Sequence, residues 1–219
     1  MLMLSVQKLA KWLGGRFVLD GLDLELARGE TAHVLGSNGS GKSTLLRVLS
    51  GVFEAEAGEV FIAGVSLKSD PVRAKAQVGY VPDGLEALPD LSVSEFVQLA
   101  RALKGLPGAP GETETDWKQR LGLDPVWRRR VNTLSFGQRK RVLSLVALLG
   151  NPGLLLLDEP SNGLDPGGID LMVALCEERQ RAGQCQLIAT NDLAFVERVG
   201  GLCYRLLHGR LEPASASST

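Results

Sequence analysis

Short apolar segments that each end at a polar residue recur along the chain. Residues 32–35, 78–81, 154–157 and 187–189 are mostly apolar, and polar residues follow each of them closely. Strands that are apolar on both faces are typical of a parallel sheet covered by helices. In such sheets ligands bind beyond the carboxyl ends of the strands, so we expect these polar residues to meet at one site.

The N-terminal part and a central segment follow different patterns. Apolar residues alternate with polar ones at 22–26, which predicts a half-buried antiparallel strand, and residues 60–64 continue that type. From about 92 to 142 the apolar positions have helical spacing, with a Gly- and Pro-rich break at 105–111. We expect an α/β fold: a mostly parallel sheet with an N-terminal antiparallel β subdomain and a small helical subdomain at about 85–145.

Length and composition fit one soluble domain. Of the 219 residues, 44% are apolar and 22% are charged, so we expect residues 1–212 to form one domain and 213–219 a disordered tail. The net charge of −1 gives no global field that would attract nucleic acid. Three cysteines without metal-binding spacing predict a reduced, cytosolic compartment. The N-terminus lacks a signal-peptide pattern, and the apolar region at 142–157 is broken by glycine and proline, which argues against a membrane-spanning helix.

A glycine-rich segment between a predicted strand and a predicted helix carries the strongest chemical signal. It fits the pattern G-x-x-x-x-G-K-[ST], which binds phosphate groups through backbone N–H groups at a helix N-terminus. Lys42 places a positive charge near the outer phosphates, and the Ser43 hydroxyl can bind Mg²⁺. The residues expected to contact phosphate are Gly36, Ser37, Asn38, Gly39, Ser40, Gly41, Lys42, Ser43 and Thr44.

Two further motifs lie downstream. Asp158 and Glu159 follow four leucines; beside a phosphate loop the aspartate can hold Mg²⁺ through water, and the glutamate can deprotonate an attacking water. Ser135 and Gln138 form a capping box, S-x-x-Q, before a helix that we expect to end at Gly150. An exposed helix N-terminus is also an anion site, so the residues alone leave both interpretations open.

The combined motifs resemble the nucleotide-binding domain of ATP-binding cassette (ABC) proteins. The phosphate loop is followed by Leu-Ser-x-Gly-Gln at 134–138, Leu-Leu-Leu-Leu-Asp-Glu-Pro at 154–160 and Ser-Asn-Gly-Leu-Asp at 161–165. The resemblance covers about residues 3–210. It implies a P-loop NTPase core that takes ATP and Mg²⁺.

The resemblance also implies residue roles. Trp12 is at the position of an aromatic that stacks on adenine, Asp158 resembles the Mg²⁺-associated aspartate, and Glu159 the catalytic base. Residues that resemble those acting across a dimer interface are Ser135, Gly137, Gln138 and Asp165. Because the chain has one set of motifs, a working site needs a second copy or a partner domain, which would form a head-to-tail dimer around two ATP molecules.

Three positions depart from the family pattern. Asp83 replaces the usual glutamine after the strand at 78–81, Asn191 replaces the usual histidine, and Phe136 replaces a common glycine. Asp83 could still reach a metal ion or water, whereas Asn191 can donate a hydrogen bond but cannot carry a positive charge. The expected catalytic residues are Lys42, Asp83, Glu159 and Asn191, and the expected metal ligands are Ser43, Asp83 and Asp158.

The function implied by the resemblance is an ATP-hydrolysing transporter subunit. It would form a dimer, a homodimer in the simplest case, and drive a separate, exporter-type membrane permease from the cytoplasmic face. The alternative is a slow, ATP-gated mechanical or regulatory module, which the departures at Asp83 and Asn191 favour.

Action on nucleic acid is not expected, since there is no strong basic stripe. The basic runs at 128–130 and 139–141 are interpreted as a solvated face, with contacts to lipid headgroups or to a partner's acidic loops as the alternatives. His33 is interpreted as a hydrogen-bonded core residue.

Overall fold

An antiparallel sheet forms the N-terminal part of the fold. The computed structural model describes residues 1–84, 90–107 and 111–214. The strands of this sheet are β1 (Leu2–Leu13), β2 (Arg16–Ala27), β4 (Ala57–Ile62) and β5 (Val65–Ser66), in the order β2-β1-β4-β5. In β2 the side chains of Leu22, Leu24 and Leu26 are buried and their neighbours exposed, so the predicted half-buried strand is confirmed.

A second, mostly parallel sheet carries the strands that the apolar segments predicted. Its strands are β3 (Thr31–Leu35), β6 (Val78–Val81), β7 (Leu154–Asp158), β8 (Cys185–Ala189), β9 (Leu202–Leu207) and β10 (Arg210–Ala214). The order is β10-β9-β3-β8-β7-β6, and β10 pairs antiparallel to β9. The edge strands β9 and β10 were not predicted. Strand β10 continues to Ala214, past the expected start of the tail at 213, and residues 215–219 lie outside the described residues.

The helices are α1 (Lys42–Leu49), α2 (Pro71–Ala76), α3 (Val93–Leu103), α4 (Glu112–Arg120), α5 (Phe136–Leu148), α6 (Pro166–Arg181) and α7 (Leu193–Val199). Helix α5 ends two residues before Gly150. The helical pattern was wrong for 121–135, which contains only short 3₁₀ turns at Asp124–Val126 and Val131–Thr133. Their apolar side chains are buried all the same, because an irregular segment can also pack against a core. Residues 85–89 and 108–110 of the expected helical subdomain lie outside the described residues.

Strand β7 is held between two hydrophobic clusters. Leu154 and Leu156 belong to the cluster shared with the antiparallel sheet and α1. Leu155 and Leu157 belong to the cluster shared with α3, α5 and α6. Because successive side chains of a strand point to opposite faces, both faces of β7 are buried, and the residues at its carboxyl end are fixed in place. In the described part of the chain, no helix is both long and apolar enough to cross a membrane.

Candidate functional site

The carboxyl ends of the parallel strands open into one cleft, called here the strand-end cleft. Its volume is 1320 Å³. Segments that follow β3, β6, β7 and β8 all contribute to its wall, as the sequence predicted. The lining residues include Asn38, Gly39, Gly41, Lys42, Ser43, Thr44, Asp83, Glu159, Ser161, Asn162, Gly163, Asn191 and Asp192.

The glycine-rich loop between β3 and α1 leaves little room for a side chain at two of its glycines. Gly41 has φ +110°, and a Cβ there would lie 2.7 Å from Val18 Cγ1. A Cβ on Gly36 would lie 2.7 Å from the Ser40 hydroxyl. That Ser40 hydroxyl is buried and, among the described residues, has no hydrogen-bond partner. A buried donor without a partner fits a loop that is completed by phosphate oxygens.

Lys42 lies at the centre of the cleft and is 6% exposed. Its ammonium donates to the Gly36 carbonyl at 2.7 Å and to Asn191 Oδ1 at 3.3 Å. It also lies 3.5 Å from Glu159 Oε1. The predicted cation therefore faces both the loop and the predicted base.

Ser43 and Asp158 supply oxygen donors side by side. The Ser43 hydroxyl donates to Asp158 Oδ1 at 3.1 Å. Burial raises the pKa of Asp158, and the hydrogen bond from Ser43 opposes that rise. In the described residues no group of three or more acidic, His or Cys side chains could hold a metal ion by itself. A divalent cation that takes few protein ligands and completes its shell with phosphate and water, as Mg²⁺ does, fits this donor set.

Glu159 has an unusual backbone conformation, with φ +44°. A non-glycine residue in that region costs about 1–3 kcal/mol, and such residues cluster at functional sites. Its N–H donates to the Ala189 carbonyl at 2.8 Å, and its Oε2 accepts from the Asn191 N–H at 3.3 Å. The carboxylate is thereby held toward the cleft beside Lys42.

Both polar atoms of the Asn191 side-chain amide form hydrogen bonds. Its Oδ1 accepts from Lys42, and its Nδ2 donates to Asn38 Oδ1 at 3.0 Å. The sequence placed Asn191 near the outer phosphate, and the structure brings it to the phosphate loop and to Glu159.

Asp83 also reaches the cleft, but its Oδ1 atom is already bound by protein donors. Oδ1 accepts from Asn162 Nδ2 at 3.1 Å and from Lys140 Nζ at 3.2 Å. Binding of a metal ion by Asp83 stays a prediction.

The sequence interpretation missed Lys140, which was included in a basic solvated face. Lys140 is 2% exposed, and burial lowers its pKa. A signal was available: Lys140, Ser144 and Ala147 are spaced like one face of a helix, and all three are buried. The lysine is therefore on the inward stripe of α5, so the solvated-face interpretation was wrong for this residue.

Trp12 is not among the described residues that line the strand-end cleft. Its ring packs edge-on against Phe17 at 4.7 Å, and it is 46% exposed. The hairpin residues that line the cleft are Leu13, Gly14, Arg16 and Val18. Neighbouring residues of a strand face opposite sides, so Leu13 lines the cleft and Trp12 does not; a contact between Trp12 and a nucleobase stays a prediction.

The residues expected to act across a dimer lie away from the lining of the cleft. Ser135 caps α5 by accepting from the Gln138 N–H at 3.2 Å, while the Gln138 side chain accepts from the Ser135 N–H at 3.1 Å. Asp165 caps α6 through the Gly168 N–H at 2.8 Å. Gly137 packs near Leu164. The capping interpretation of Ser135 and Gln138 is therefore confirmed, and a contact with a second chain stays a prediction.

Comparisons with known proteins agree with this geometry. A sequence model of the ABC transporter family matches residues 19–162. The Nod factor export ATP-binding protein I of Ralstonia nicotianae is 34% identical over 209 residues, 93% of this chain and 63% of that protein. The ABC transporter ced-7 of Caenorhabditis elegans is 31% identical over 200 residues, which are 90% of this chain and 12% of that protein. The glutamate/aspartate import ATP-binding protein GltL of Escherichia coli is 29% identical over 214 residues, 95% of this chain and 89% of that protein. The chain thus spans less than two thirds of the length of the first two relatives.

Solved structures show the same fold. An ATP binding subunit of an ABC transporter superposes with a TM-score of 0.85 at 28% identity, over 95% of this chain and 88% of that one. The cbiO1 protein from Clostridium perfringens, part of the complex cbiONQ, superposes with a TM-score of 0.76 at 27% identity, over 96% and 87%. The predicted P-loop fold with its antiparallel and helical additions is confirmed. With the family match covering the phosphate loop, Asp158 and Glu159, the chain belongs to the ABC transporter family as an ATP-binding domain.

Proposed function

We propose that this chain hydrolyses ATP as the nucleotide-binding subunit of a membrane transporter. The observation that carries the proposal is that Lys42, Ser43 and Glu159 line one cleft. There the Lys42 ammonium lies at ion-pair distance from Glu159, and the Ser43 hydroxyl donates to Asp158. A phosphate loop, a metal-binding aspartate and a base at one site are the parts that phosphoryl transfer to water requires.

Each residue has a role in this proposal. The backbone of residues 36–41 and the Lys42 ammonium bind and orient the phosphates of ATP. Ser43 and Asp158 would hold Mg²⁺, which when bound neutralises charge on the phosphates. Glu159 accepts a proton from the attacking water, and its bond to the Asn191 N–H keeps the carboxylate directed at the cleft.

A second chain completes the site in this proposal. Ser135, Gly137 and Gln138 are away from the cleft of their own chain, yet they expose the N-terminus of α5, where anions are favoured. We propose that two copies pair head to tail, so that each α5 N-terminus faces ATP on the partner. The pair would act at the inner face of the membrane, in the cytoplasm, on a separate permease.

The test is single-turnover hydrolysis of ATP with Mg²⁺ at rising protein concentration. A rate that climbs steeply with concentration and disappears in Glu159→Gln would support a dimeric ATPase. A wild-type chain that binds ATP but shows no hydrolysis at any concentration would contradict self-sufficient hydrolysis.

A slow, ATP-gated module is the second candidate, and one contact favours it. The Asn191 amide is neutral and already bridges Lys42 and Asn38, so it offers a weaker hydrogen bond to phosphate than a charged donor would. Under this candidate, binding of ATP closes the dimer and slow hydrolysis reopens it. Asn191→His should then raise the single-turnover rate roughly fivefold, which corresponds to about 1 kcal/mol for a charged in place of a neutral hydrogen bond. An unchanged rate would show that Asn191 is not what limits hydrolysis.

A further inference from the structure

Lys140 joins parts of the site that are far apart in sequence. Its ammonium donates to the Asp83 carboxylate at 3.2 Å, to the Asp158 carbonyl at 3.4 Å and to the Glu159 carbonyl at 2.5 Å. The side chain is among the largest that are fully buried. One buried cation therefore ties helix α5 to the loop after β6 and to the end of β7.

Phe136 meets the same ammonium from the first turn of α5. Its ring centroid lies 5.4 Å from Lys140 Nζ, within the range of a cation–π contact. The ring also packs closely on Gly163, where an added Cβ would lie 2.4 Å from Phe136 Cδ1. Two of the three departures from the family pattern, Asp83 and Phe136, therefore converge on Lys140.

We propose that Lys140 is a positioning residue for hydrolysis and that Asp83 and Lys140 act as one charged unit. In this unit the Asp83 carboxylate neutralises Lys140 and does not bind the metal ion. Lys140 acts on the reaction through Glu159, whose carbonyl it holds while the carboxylate faces the cleft. This inference deepens the proposed function and rests on it.

The physical basis is the cost of leaving a buried charge unpaired. The Lys140 side chain is buried, whereas the Asp83 side chain is 42% exposed. Loss of Asp83 leaves a buried ammonium without its carboxylate, which is unfavourable, whereas replacing both partners by neutral groups removes that charge. A glutamine at position 83, although usual in the family, would leave the Lys140 ammonium without its carboxylate. Asp158 and Glu159 are the other anionic groups that act on Lys140. An ammonium drawn toward them would compete with a cation bound at Asp158.

The experiment compares wild type with Asp83→Gln, Lys140→Gln and the double variant. Single-turnover ATP hydrolysis and denaturant unfolding without nucleotide are measured for each. Each single variant should lower the rate roughly tenfold, and the double variant should recover to within about threefold of wild type, as coupled neighbours do. In Asp83→Gln the Mg²⁺ concentration that gives half the maximal rate should rise, which a general loss of structure would not cause.

Two controls separate charge pairing from ordinary damage. Lys140→Arg keeps the positive charge and should retain more activity than Lys140→Gln. Asp170→Asn breaks an exposed ion pair with Arg198 and should change neither readout. If a single variant fails to fold while the double variant folds, the unfolding data alone support the unit.

Two results would overturn the inference. One is an Asp83→Gln protein that hydrolyses ATP as fast as wild type. The other is a double variant whose change in unfolding free energy equals the sum of the changes in the two single variants. If wild type hydrolyses no ATP, the proposed function fails, yet the unfolding cycle still decides whether Asp83 and Lys140 are coupled.

Discussion

Trp12, the residue predicted to contact the nucleobase, is one position away from Leu13, which lines the strand-end cleft. Leu13 and Arg16 pair across the hairpin of β1 and β2, and both line the cleft. Trp12 and Phe17 form the adjacent pair and turn to the other side. An aliphatic side chain and a planar guanidinium can cover a nucleobase from one face, since arginine stacks on flat rings. We therefore expect Leu13 and Arg16, rather than Trp12, to contact the base.

This assignment predicts unequal effects of two substitutions on nucleotide affinity. Arg16→Ala should raise the Kd for Mg-ATP roughly fivefold, the equivalent of about 1 kcal/mol for a lost guanidinium contact. Trp12→Ala should leave the Kd within about twofold, as an exposed substitution outside the site does. Titration with a fluorescent ATP analogue, followed by displacement with ATP, measures both values. A larger loss in Trp12→Ala than in Arg16→Ala would restore the original aromatic assignment.

Among the elements, the central strand β3 contains a titratable group in its core. His33 is fully buried, and its Nε2 lies 2.9 Å from the Gly200 carbonyl. Burial lowers the pKa of His33 below its usual 6.5, and the bond to Gly200 partly opposes this. The unfolded chain therefore binds a proton at a higher pH than the folded protein does. Stability from this residue is complete above pH 6.5 and is lost as the pH falls below that value.

The prediction is a pH-dependent difference between wild type and His33→Gln. The glutamine amide corresponds in position to Nε2 and can donate to the same carbonyl, but it does not titrate. Denaturant unfolding at several pH values between 5 and 8 should show the free energy of unfolding decreasing more steeply below pH 6.5 in wild type than in the variant. Equal slopes in the two proteins would mean that His33 does not contribute to the acid sensitivity.

Helix α5 begins with a residue that has two roles in the proposed function. Ser135 caps the helix, and it is also expected to face ATP on a second chain. Ser135→Asp keeps an excellent N-cap but places a negative charge where phosphate would lie. We expect Ser135→Asp to unfold at nearly the wild-type denaturant concentration and to lose hydrolysis, whereas Ser135→Ala should lose about 1 kcal/mol of stability. Full hydrolysis in a stable Ser135→Asp protein would leave capping as the only role of Ser135.

The elements differ in how well the sequence predicted them, and the difference has a physical cause. The parallel strands were predictable because burial on both faces produces an uninterrupted apolar run, and the polar residues after them did converge on one cleft. The structure of the segment 121–135 was not predictable, because its apolar residues are spaced as in a helix but pack from 3₁₀ turns. The helical spacing of Lys140 with Ser144 and Ala147 indicates the inward face of α5, but nothing local indicates its partner Asp83, 57 residues away in the sequence. Long-range charge pairing of this kind leaves no local pattern.

For the whole molecule, the proposed function places each site between two chains. The phosphate loop and Glu159 of one chain line the cleft and Asp158 is bonded to Ser43, while Ser135 lies away from the lining. In a two-fold dimer each site would take the first group from one chain and Ser135 from the other. A defect in Lys42 and a defect in Ser135 then fall in the same site when the two variants pair, and the other site is intact.

Mixing therefore restores activity in one combination and not in another. Equal amounts of Lys42→Ala and Ser135→Asp should recover about a quarter of wild-type sites, because half of randomly formed dimers are mixed and each has one intact site. Lys42→Ala mixed with Glu159→Gln should recover no activity. Both residues belong to the cleft of their own chain, so each of the two sites in a mixed dimer contains one defect. Single-turnover hydrolysis of the two mixtures makes the comparison. Recovery in both mixtures, or in neither, would contradict the head-to-tail arrangement, because only a site built from the cleft of one chain and the α5 N-terminus of the other distinguishes them.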